Sequence, residues 1–258
     1  MRKEKICVID ADSLLYYIMG ANSLEEAIEE LDSRIIDILI KCKASKYVIC
    51  LTESNCFRYD IATSRPYKGN RKKGDKPIIF YALRAHLKQH HVAYYHDRLE
   101  ADDLVAFLAF KYATKYTVYI CSPDKDVSGT VSGTHWNYSK KIMTSTTSKE
   151  AYKFLLMQTL TGDSTDNIGG IPGVGPAKAE KILSSPGSPL SGGKTLNAYV
   201  EEFGIAEGIY KFQENFRLVY LLRTDEDMLR EIGLVPSMPI IQSINPKNKK
   251  DDPDYSEF

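Results

Sequence analysis

The segment LTGDSTDNIGGIPGVGPAKAEKIL, residues Leu160–Leu183, constrains the structure of this chain more tightly than any other. Its second half, from Gly169 to Pro176, holds four glycines and two prolines in eight residues, which predicts a tight hairpin instead of a regular helix or strand. Pro176 suits the first turn of a helix that runs to Leu183. The backbone amides at the start of that helix can bind a phosphate, and the glycines let another backbone, such as a DNA strand, come close.

The first half of the same segment carries two acids, Asp163 and Asp166, at a predicted helix end or tight turn. Because they are three residues apart, both carboxylates can face one cavity. In the hairpin and the helix after it, the residues expected to contact DNA are Gly173, Val174, Gly175, Lys178 and Lys181.

Composition limits the class of protein. The chain has 258 residues, of which 43% are hydrophobic, enough for one α/β domain with an appended helical part. The formal net charge is zero, so a surface that binds nucleic acid must come from local charge asymmetry. The five cysteines form no CxxC pair and no apolar run reaches transmembrane length. We therefore expect a reduced, cytoplasmic protein that makes no membrane contact.

Apolar runs alternate between strand and helix patterns along the first half of the chain. Strands are expected at 5–9, 47–51, 92–95 and 117–121, and helices at 24–42, 77–89 and 99–113. This alternation predicts an α/β fold with a mostly parallel central sheet and helices on both faces. We divide the chain into an α/β core at 1–146, a helical region at 147–236 with a loop at 184–194, and a disordered tail at 237–258.

Acidic residues stand just past the ends of the predicted strands. Asp10, Glu53 and the pair Asp124 and Asp126 each follow a buried run, and ligands of open α/β sheets bind at the carboxyl ends of the strands. Further acids, at the start of the helix expected at 99–113 or in the hairpin segment, are Glu100, Asp102, Asp103, Asp163 and Asp166. Two like charges about 4 Å apart repel by about 4 kcal/mol at an effective dielectric of about 20. Such a cluster needs cations or bound protons.

The chemistry of these side chains indicates which cations they would hold. Oxygen ligands alone select hard ions, so we expect Mg²⁺, with Mn²⁺ as a substitute. Two such ions about 4 Å apart can activate a water and stabilise the leaving oxygen of a phosphodiester. The histidines show no spacing typical of a ligand set and are interpreted as structural or surface residues: His86, His90, His91, His96 and His135.

Several motifs resemble those of the flap endonuclease and 5′→3′ exonuclease family. The run GDSTDNIGG followed by GVGPAKA is similar to its helix–hairpin–helix, also called helix–three-turn–helix. The others are VIDADSLL at Val8–Leu15, RLEADDLVA at Arg98–Ala106, ICSPDKD at Ile120–Asp126 and YKGNR at Tyr67–Arg71. The resemblance covers residues 5–181, extends loosely to 222, and points in particular to phage-encoded stand-alone 5′→3′ exonucleases of the T-odd type.

A basic segment, RPYKGNRKKGDK at Arg65–Lys76, carries six cations and one acid. A solvated loop would account for the charges alone. The resemblance instead implies the base of a helical arch, where single strands pass over the active site, with Lys68 and Arg71 stabilising the transition state at the scissile phosphate. Lysines can neutralise phosphates and a tyrosine can stack on an unpaired base, so the residues expected to bind DNA here are Tyr67, Lys72 and Lys73.

The same resemblance implies a PIN-like 5′ nuclease fold with a helical arch at about 60–80. It implies two-metal-ion hydrolysis of DNA near 5′ ends, nicks or single-stranded flaps, and of RNA–DNA hybrids as well. We expect a monomer, in the host-cell cytoplasm if the chain is phage-encoded. At the hairpin it implies a monovalent cation, K⁺, on the carbonyls of Ile168, Ile171 and Val174. Glu53 stands where the family usually has Asp, so whether it binds metal directly or from an outer shell stays open.

Three other functions are weighed against this one. Asp10-Ala11-Asp12-Ser13 after a strand is also similar to the opening D-x-D-x-[TV] of haloacid-type phosphatases, in which Asp10 would be the nucleophile. That function leaves the hairpin and the basic segment unexplained. A non-catalytic DNA-binding module leaves the acids unexplained, and the small acidic ribonucleases of toxin systems leave Leu160–Leu183 unexplained.

Overall fold

A six-stranded sheet forms the core of the amino-terminal part of the protein. The structure is a computed structural model and describes residues 3–71, 74, 76–185, 192–241 and 243. The strands are β1 (Lys5–Asp10), β2 (Lys46–Thr52), β3 (Ala93–His96), β4 (Thr117–Cys121), β5 (Gly133–Asn137) and β6 (Ile142–Thr146). They lie in the order β3-β2-β1-β4-β5-β6, and only β6 runs antiparallel to its neighbour.

Helices cover both faces of this sheet. Those of the core are α1 (Asp12–Ile18), α2 (Leu24–Cys42), α3 (Arg58–Ile61), α4 (Ile78–His90), α5 (Ala101–Tyr112) and α6 (Lys125–Thr130). Side chains of β1 alternate between the two faces, so that Ile6 and Val8 pack on the side of α5 whereas Cys7 and Ile9 pack on the side of α1, α2 and α4. The predicted α/β class, with a mostly parallel sheet covered on both faces, is confirmed.

Two strands of the six-stranded sheet were absent from the sequence prediction, β5 and β6. The edge strand β6, with the sequence IMTST, is almost entirely exposed and has no apolar face to produce an alternating pattern. β6 forms because its backbone pairs with β5. Pairing between strands cannot be predicted from a local sequence pattern. At the amino end of α2, the Ser23 hydroxyl accepts from the Glu26 amide, and the Glu26 carboxylate accepts from the backbone amide of Asn22.

Helices dominate after residue 147. They are α7 (Ser148–Thr161), α8 (Pro176–Ser184), α9 (Gly192–Phe203), α10 (Ile205–Val219) and α11 (Asp225–Ile232). Of the loop expected at 184–194, Ser184 belongs to α8 and residues 192–194 belong to α9, and positions 186–191 lie outside the described residues. Of the tail expected at 237–258, positions 237–241 and 243 are described, and Ser243 forms an isolated antiparallel bridge with Lys46. The other tail positions lie outside the described residues. A bilayer-spanning helix is not found among the described positions.

Two short strands, β7 (Gly162–Asp163) and β8 (Ile168–Gly169), form a small hairpin between α7 and α8. Gly162 has a φ of +72°, which favours glycine. A Cβ on Gly170 would lie 2.2 Å from the carbonyl carbon of Thr161, so no larger residue fits there. Ile171 and Val174 then insert into the core of the helical region, which holds the following turn in place.

Candidate active site

A cavity of about 860 Å³ opens at the carboxyl ends of β1, β2 and β4. Nine carboxylates line it: Asp10, Asp12, Glu53, Glu100, Asp102, Asp124, Asp126, Asp163 and Asp166. Eight of these were predicted from the sequence as metal-binding, and Asp12 was not. Six cationic side chains share the lining: Lys68, Arg71, Lys76, Arg84, Lys125 and Lys140.

The parallel strands bring the first acids together. Asp10 is the last residue of β1, and its carboxylate accepts hydrogen bonds from the amide of Asp12 (3.2 Å) and the hydroxyl of Ser122 (2.9 Å). Asp124 caps α6 by accepting from the amide of Asp126 at 2.6 Å. Carboxyl ends of parallel strands lie at one edge of the sheet, which is why residues more than 110 positions apart meet here.

The small hairpin adds acids from the helical region. Asp163 accepts from the amide of Thr165 at 2.7 Å, which orders the turn. Asp166 lies on the same turn, and its backbone carbonyl accepts from the amide of Lys68 at 2.9 Å. The cavity is therefore built jointly by the core and by the helical region.

Burial and mutual repulsion make the deepest carboxylates weak acids. Burial, with the charges of Asp12 and Asp124, raises the pKa of Asp10 to about 7. Burial, with the nearby charge of Asp124, likewise raises the pKa of Asp126 to about 7. The pKa of Asp102 is raised well above its ordinary value by burial and by Asp10. These groups lack enough positive charge around them, which is the condition that a bound cation relieves.

One predicted metal ligand, Asp103, does not face the cavity, and that expectation was wrong. Its carboxylate is completely buried and forms a bidentate pair with Arg58, at 2.6 and 2.8 Å. Successive helix residues point about 100° apart, so Asp102 faces the cavity while Asp103 faces Arg58. Arg58 was not recognised from the sequence, because a single arginine in a four-residue helix carries no pattern.

Glu100 contacts both the cavity and the buried guanidinium of Arg58. It lines the cavity, but its carboxylate accepts from Arg58 at 3.2 Å and from the hydroxyl of Tyr67 at 2.8 Å, and it pairs with Lys68. Burial acts to raise the pKa of Glu100, but Arg58 and Lys68 outweigh it and hold the pKa below its usual value. Glu100 is therefore an ionised carboxylate with its own cations.

Glu53 also has cationic partners on α4. It accepts from Arg84 at 3.1 Å and pairs with Lys88. Arg84 reaches Asp12 as well, at 3.2 Å, so one arginine joins two acids of the cavity rim. Asp12 could have been found from its position two residues after Asp10 at a strand end. Arg84 could not, because only packing of α4 brings it to this edge.

The basic segment lines the cavity with three of its cations, Lys68, Arg71 and Lys76. Arg71 pairs with Asp166 at 2.5 Å, and Lys68 lies 3.9 Å from the same carboxylate. The expectation that Tyr67 stacks on an unpaired base was wrong, because Tyr67 is only 5% exposed and its hydroxyl binds Glu100. Predicted DNA contacts that lie outside the described residues are Lys72 and Lys73.

The expected helical arch at 60–80 begins in the last residues of α3 and ends in the first residues of α4, and its described positions in between form turns, bends and irregular backbone. Its beginning is fastened to α10, where the Glu214 carboxylate accepts from the backbone amides of Thr63 (2.6 Å) and Ser64 (2.7 Å). Asn70 and Asn167 add side-chain hydrogen bonds between this segment and the small hairpin. The segment is thus tied to the helical region before it reaches the cavity.

The predicted DNA-binding hairpin, Gly169–Pro176, lies beside a shallow depression. Gly173 is exposed with a φ of +69°, and Gly175 is exposed at the N-cap of α8. Lys178 and Lys181 are exposed on the same helix, Lys178 near its start and Lys181 in its last turn. Val174 is buried in the apolar core of the helical region and also lines this depression. The residues proposed to supply carbonyls to a monovalent cation all line this depression: Ile168, Ile171 and Val174.

The donor set of the cavity fits hard divalent cations. Its described lining offers carboxylate oxygens and includes no His or Cys. Asp10, Asp102 and Asp126, whose pKa values are raised, are the carboxylates that gain most from a cation. Oxygen ligands of this kind suit Mg²⁺ or Mn²⁺ better than Zn²⁺.

The raised pKa values predict how the stability of the metal-free protein depends on pH. Folded Asp10 and Asp126, with pKa values of about 7, hold protons that the unfolded chain releases near 3.8. The free energy of unfolding should therefore fall as pH rises from about 4 to about 7. Thermal unfolding in chelator across this range tests it, and Asp126→Asn should flatten the curve. The same curve in both proteins would contradict the assignment.

Comparison with known proteins agrees with this geometry. Residues 5–154 match the family model described as the 5′-3′ exonuclease, N-terminal resolvase-like domain. Flap endonuclease Xni of Shewanella baltica (strain OS155 / ATCC BAA-1091) is 28% identical over 195 residues, which cover 70% of this chain and 74% of that protein. The 5′-3′ exonuclease of Aquifex aeolicus (strain VF5) is 33% identical over 161 residues, or 57% of this chain and 54% of that protein.

Among solved structures, the fold resembles that of the T5 D15 protein co-crystallized with metal ions. The TM-score is 0.71 at 18% identity, and the match covers 84% of this chain and 90% of that one. A T5 flap endonuclease in a pseudo-enzyme-product complex with DNA and metal ions has a TM-score of 0.64 at 17% identity, over 84% of this chain and 89% of that one. At these identities the likeness concerns the fold.

The family model spans more than half of the chain, and its residues include the acids that β1, β2, α5 and β4 bring to the cavity. The chain therefore belongs to the 5′-3′ exonuclease family and is a nuclease of the flap endonuclease and 5′→3′ exonuclease type.

Proposed function

We propose that this nuclease hydrolyses DNA phosphodiesters near 5′ ends, nicks or single-stranded flaps, with two Mg²⁺ ions in the cavity and Mn²⁺ as a substitute. The observation that carries the proposal is the meeting of eight predicted carboxylates with Lys68 and Arg71 in one cavity. A cavity this acidic repels the phosphate backbone unless cations are bound, so substrate binding and metal binding support each other.

The carboxylates of the cavity would hold the two ions, and Glu100 would position Lys68. Asp10, Asp102, Asp124 and Asp126 would hold one ion, and Asp163 with Asp166 would contribute to the second. When bound, the ions supply activation of a water and stabilisation of the leaving oxygen. Glu100, already paired with Arg58 and Lys68, would orient Lys68 toward the phosphate.

Lys68 and Arg71 would stabilise the charge that develops on the reacting phosphate. In the structure they line the cavity and pair with Glu100 and Asp166. Each could turn from a carboxylate to a phosphate oxygen once cations occupy the acids, because the carboxylates then need them less.

The phosphatase alternative is weaker. It needs only Asp10 and one ion, and it gives no role to Asp163, Asp166 or the basic segment, all of which line the same cavity. A purely DNA-binding role would not require the acidic cavity, which lowers affinity for phosphates.

Cleavage of defined substrates tests the proposal. A 5′-labelled flap duplex, a nicked duplex and the matching RNA–DNA hybrid would be incubated with Mg²⁺, with Mn²⁺ or with chelator. We expect cleavage near the 5′ end with either metal and none with chelator. A simple phosphate monoester is the control, and its hydrolysis without DNA cleavage would favour the phosphatase.

Changes in the basic segment should act on rate more than on binding. We expect Lys68→Ala and Arg71→Ala to slow single-turnover cleavage by about 10²-fold, since each removes one charge from the developing transition state. Affinity for the duplex, measured in Ca²⁺, should change little. Lys140→Ala is the matched control, because Lys140 lines the same cavity but is exposed in the turn between β5 and β6. Variants that bind poorly but cut at the wild-type rate would make the segment only an electrostatic tether.

Changes at the hairpin should weaken DNA binding more than they slow cleavage. Gly173→Asp places a negative charge where a phosphate should approach, and Lys178→Ala/Lys181→Ala removes two cations. We expect weaker binding to nicked duplex in both, and a slope of log affinity against log salt that falls by about 0.9 for each lysine that no longer neutralises a phosphate. Replacing K⁺ by a larger organic cation at constant ionic strength tests the carbonyl site. Wild-type affinity in Gly173→Asp with an unchanged slope in the lysine variant would mean that the duplex is held elsewhere.

A further inference from the structure

A second cluster of possible metal ligands lies between α2 and α4. The Nε2 atom of His86 is 3.0 Å from Oδ1 of Asp32, and the Nε2 atom of His91 is 2.9 Å from the same oxygen. One ligand atom from each of the three residues lies within 4.8 Å of the other two. The sequence did not predict this group, because Asp32 comes from a different helix and His91 follows the end of α4.

The cluster is separate from the nuclease cavity. None of its three residues belongs to the described lining of that cavity. His91 lies between the end of α4 and the start of β3, at the amino ends of the strands, whereas the cavity lies at their carboxyl ends. The side chains of His86, His91 and Asp32 are only 4%, 8% and 12% exposed, so the atoms that face one another are largely shielded from water.

The arrangement has the supporting contact typical of a metal site. The second ring nitrogen of His91, Nδ1, is 2.7 Å from the hydroxyl of Tyr47 at the start of β2. Such a partner fixes the orientation of the imidazole and leaves Nε2 directed at the cluster. His90 lies against the ring of His86, with centroids 4.8 Å apart, on the adjacent turn of the same helix.

From this geometry we propose that Asp32, His86 and His91 form a binding site for one Zn²⁺ ion, distinct from the nuclease cavity. Two imidazoles and one carboxylate suit borderline ions such as Zn²⁺, and three protein ligands leave one position for water. Zn–N and Zn–O bonds of about 2.0–2.2 Å separate tetrahedral ligand atoms by about 3.4 Å. The two observed N–O distances need to lengthen by only a few tenths of an ångström.

A bound ion would fasten α2 to α4. The other side of α4 presents Arg84 and Lys88 to Glu53 at the nuclease cavity. Zinc would therefore act as a structural clip on the helix that carries these cations, and it would raise the thermal stability of the native protein. The proposal is independent of the nuclease mechanism, since none of its ligands is assigned a part in cleavage.

Zinc binding by the full-length protein in excess Mg²⁺ tests the proposal. Mg²⁺ competes for the oxygen-ligand sites of the nuclease cavity and leaves imidazoles available, and Zn²⁺ that still enters the cavity would bind equally in His91→Gln. The protein would be titrated with Zn²⁺ against a chromophoric chelator, and Co²⁺ would report tetrahedral nitrogen ligation by its visible spectrum. The variants are His91→Gln and Asp32→Asn, with Asp37→Asn, an exposed acid on the same helix, as the matched control.

We expect one Zn²⁺ per chain in the wild type and in Asp37→Asn, with affinity lowered at least about 100-fold in His91→Gln and Asp32→Asn. Tyr47→Phe removes only the supporting hydroxyl and should weaken binding by about 10-fold. It keeps the test valid if a ligand variant proves unstable. Absence of Zn²⁺ binding in excess Mg²⁺, or wild-type affinity in His91→Gln and Tyr47→Phe, would mean that the cluster is only a hydrogen-bonded contact between helices.

Discussion

Asp124→Asn and Asp126→Asn are each expected to lower the rate of DNA cleavage by about 10²-fold or more while DNA binding stays near the wild-type level. Both residues follow β4 and line the cavity. Asparagine preserves size and most hydrogen bonds, including the one that Asp126 accepts from Gln158 at 2.7 Å. What it removes is a negative charge, which lowers affinity for cations and also reduces repulsion of the phosphate backbone.

Single-turnover cleavage of a 5′-flap duplex measures the cleavage rate, and fluorescence anisotropy with the same duplex in Ca²⁺ measures DNA binding. Raising Mg²⁺ should recover part of the rate if the defect is weaker metal binding. Asp37→Asn serves as the control for loss of an acid elsewhere on the surface. Near-normal turnover in the variant with both substitutions would refute the assignment of these residues.

Arg58→Met is expected to destabilise the protein by about 3–5 kcal/mol, the largest effect on stability that we predict. Arg58 is 2% exposed and neutralises Asp103, which is 0% exposed. It also donates to the carbonyls of Leu218 and Tyr220, both at 2.8 Å, at the end of α10. Its removal leaves a buried carboxylate without a counterion and carbonyls without donors, and neither can be solvated.

Urea unfolding, followed by circular dichroism, measures this destabilisation. Arg98→Met is the matched control, because Arg98 pairs with the exposed Asp60 and its replacement should cost at most about 1 kcal/mol. Adding Asp103→Leu to Arg58→Met should recover part of the stability, since the unpaired charge is then gone. Equal stability of Arg58→Met and Arg98→Met would show that the buried pair contributes little.

Arg58 also connects the core to the helical region. The sequence suggests a core at 1–146 and a helical region at 147–236. In the structure one guanidinium binds Asp103 of the core and backbone carbonyls of the helical region. Glu214, which holds Thr63 and Ser64, makes a second connection. A DNA duplex bound at the hairpin would thus be linked rigidly to the basic segment and the cavity.

Local chemistry determined much of this protein. Glycine and proline spacing in Leu160–Leu183 has few conformational solutions, so the hairpin and the helix after it could be predicted from the sequence. Buried apolar runs ending in Asp10 and Asp124 placed acids at the sheet edge where parallel strands bind ligands. Eight of the nine predicted metal ligands meet there. Strand direction brings Asp10, Glu53, Asp124 and Asp126 to this edge, whereas Glu100 and Asp102 come from the start of α5 and Asp163 and Asp166 from the small hairpin.

Only the tertiary structure decided which acids are free to hold a cation. Asp102 and Asp103 are neighbours with the same side chain, yet one faces the cavity and the other is neutralised by Arg58. Tyr67 likewise became a buried partner of Glu100 instead of an exposed ring. Asp32, His86 and His91 meet only because α2 packs on α4. The environment of a charge depends on contacts between distant segments, and local sequence patterns do not encode those contacts.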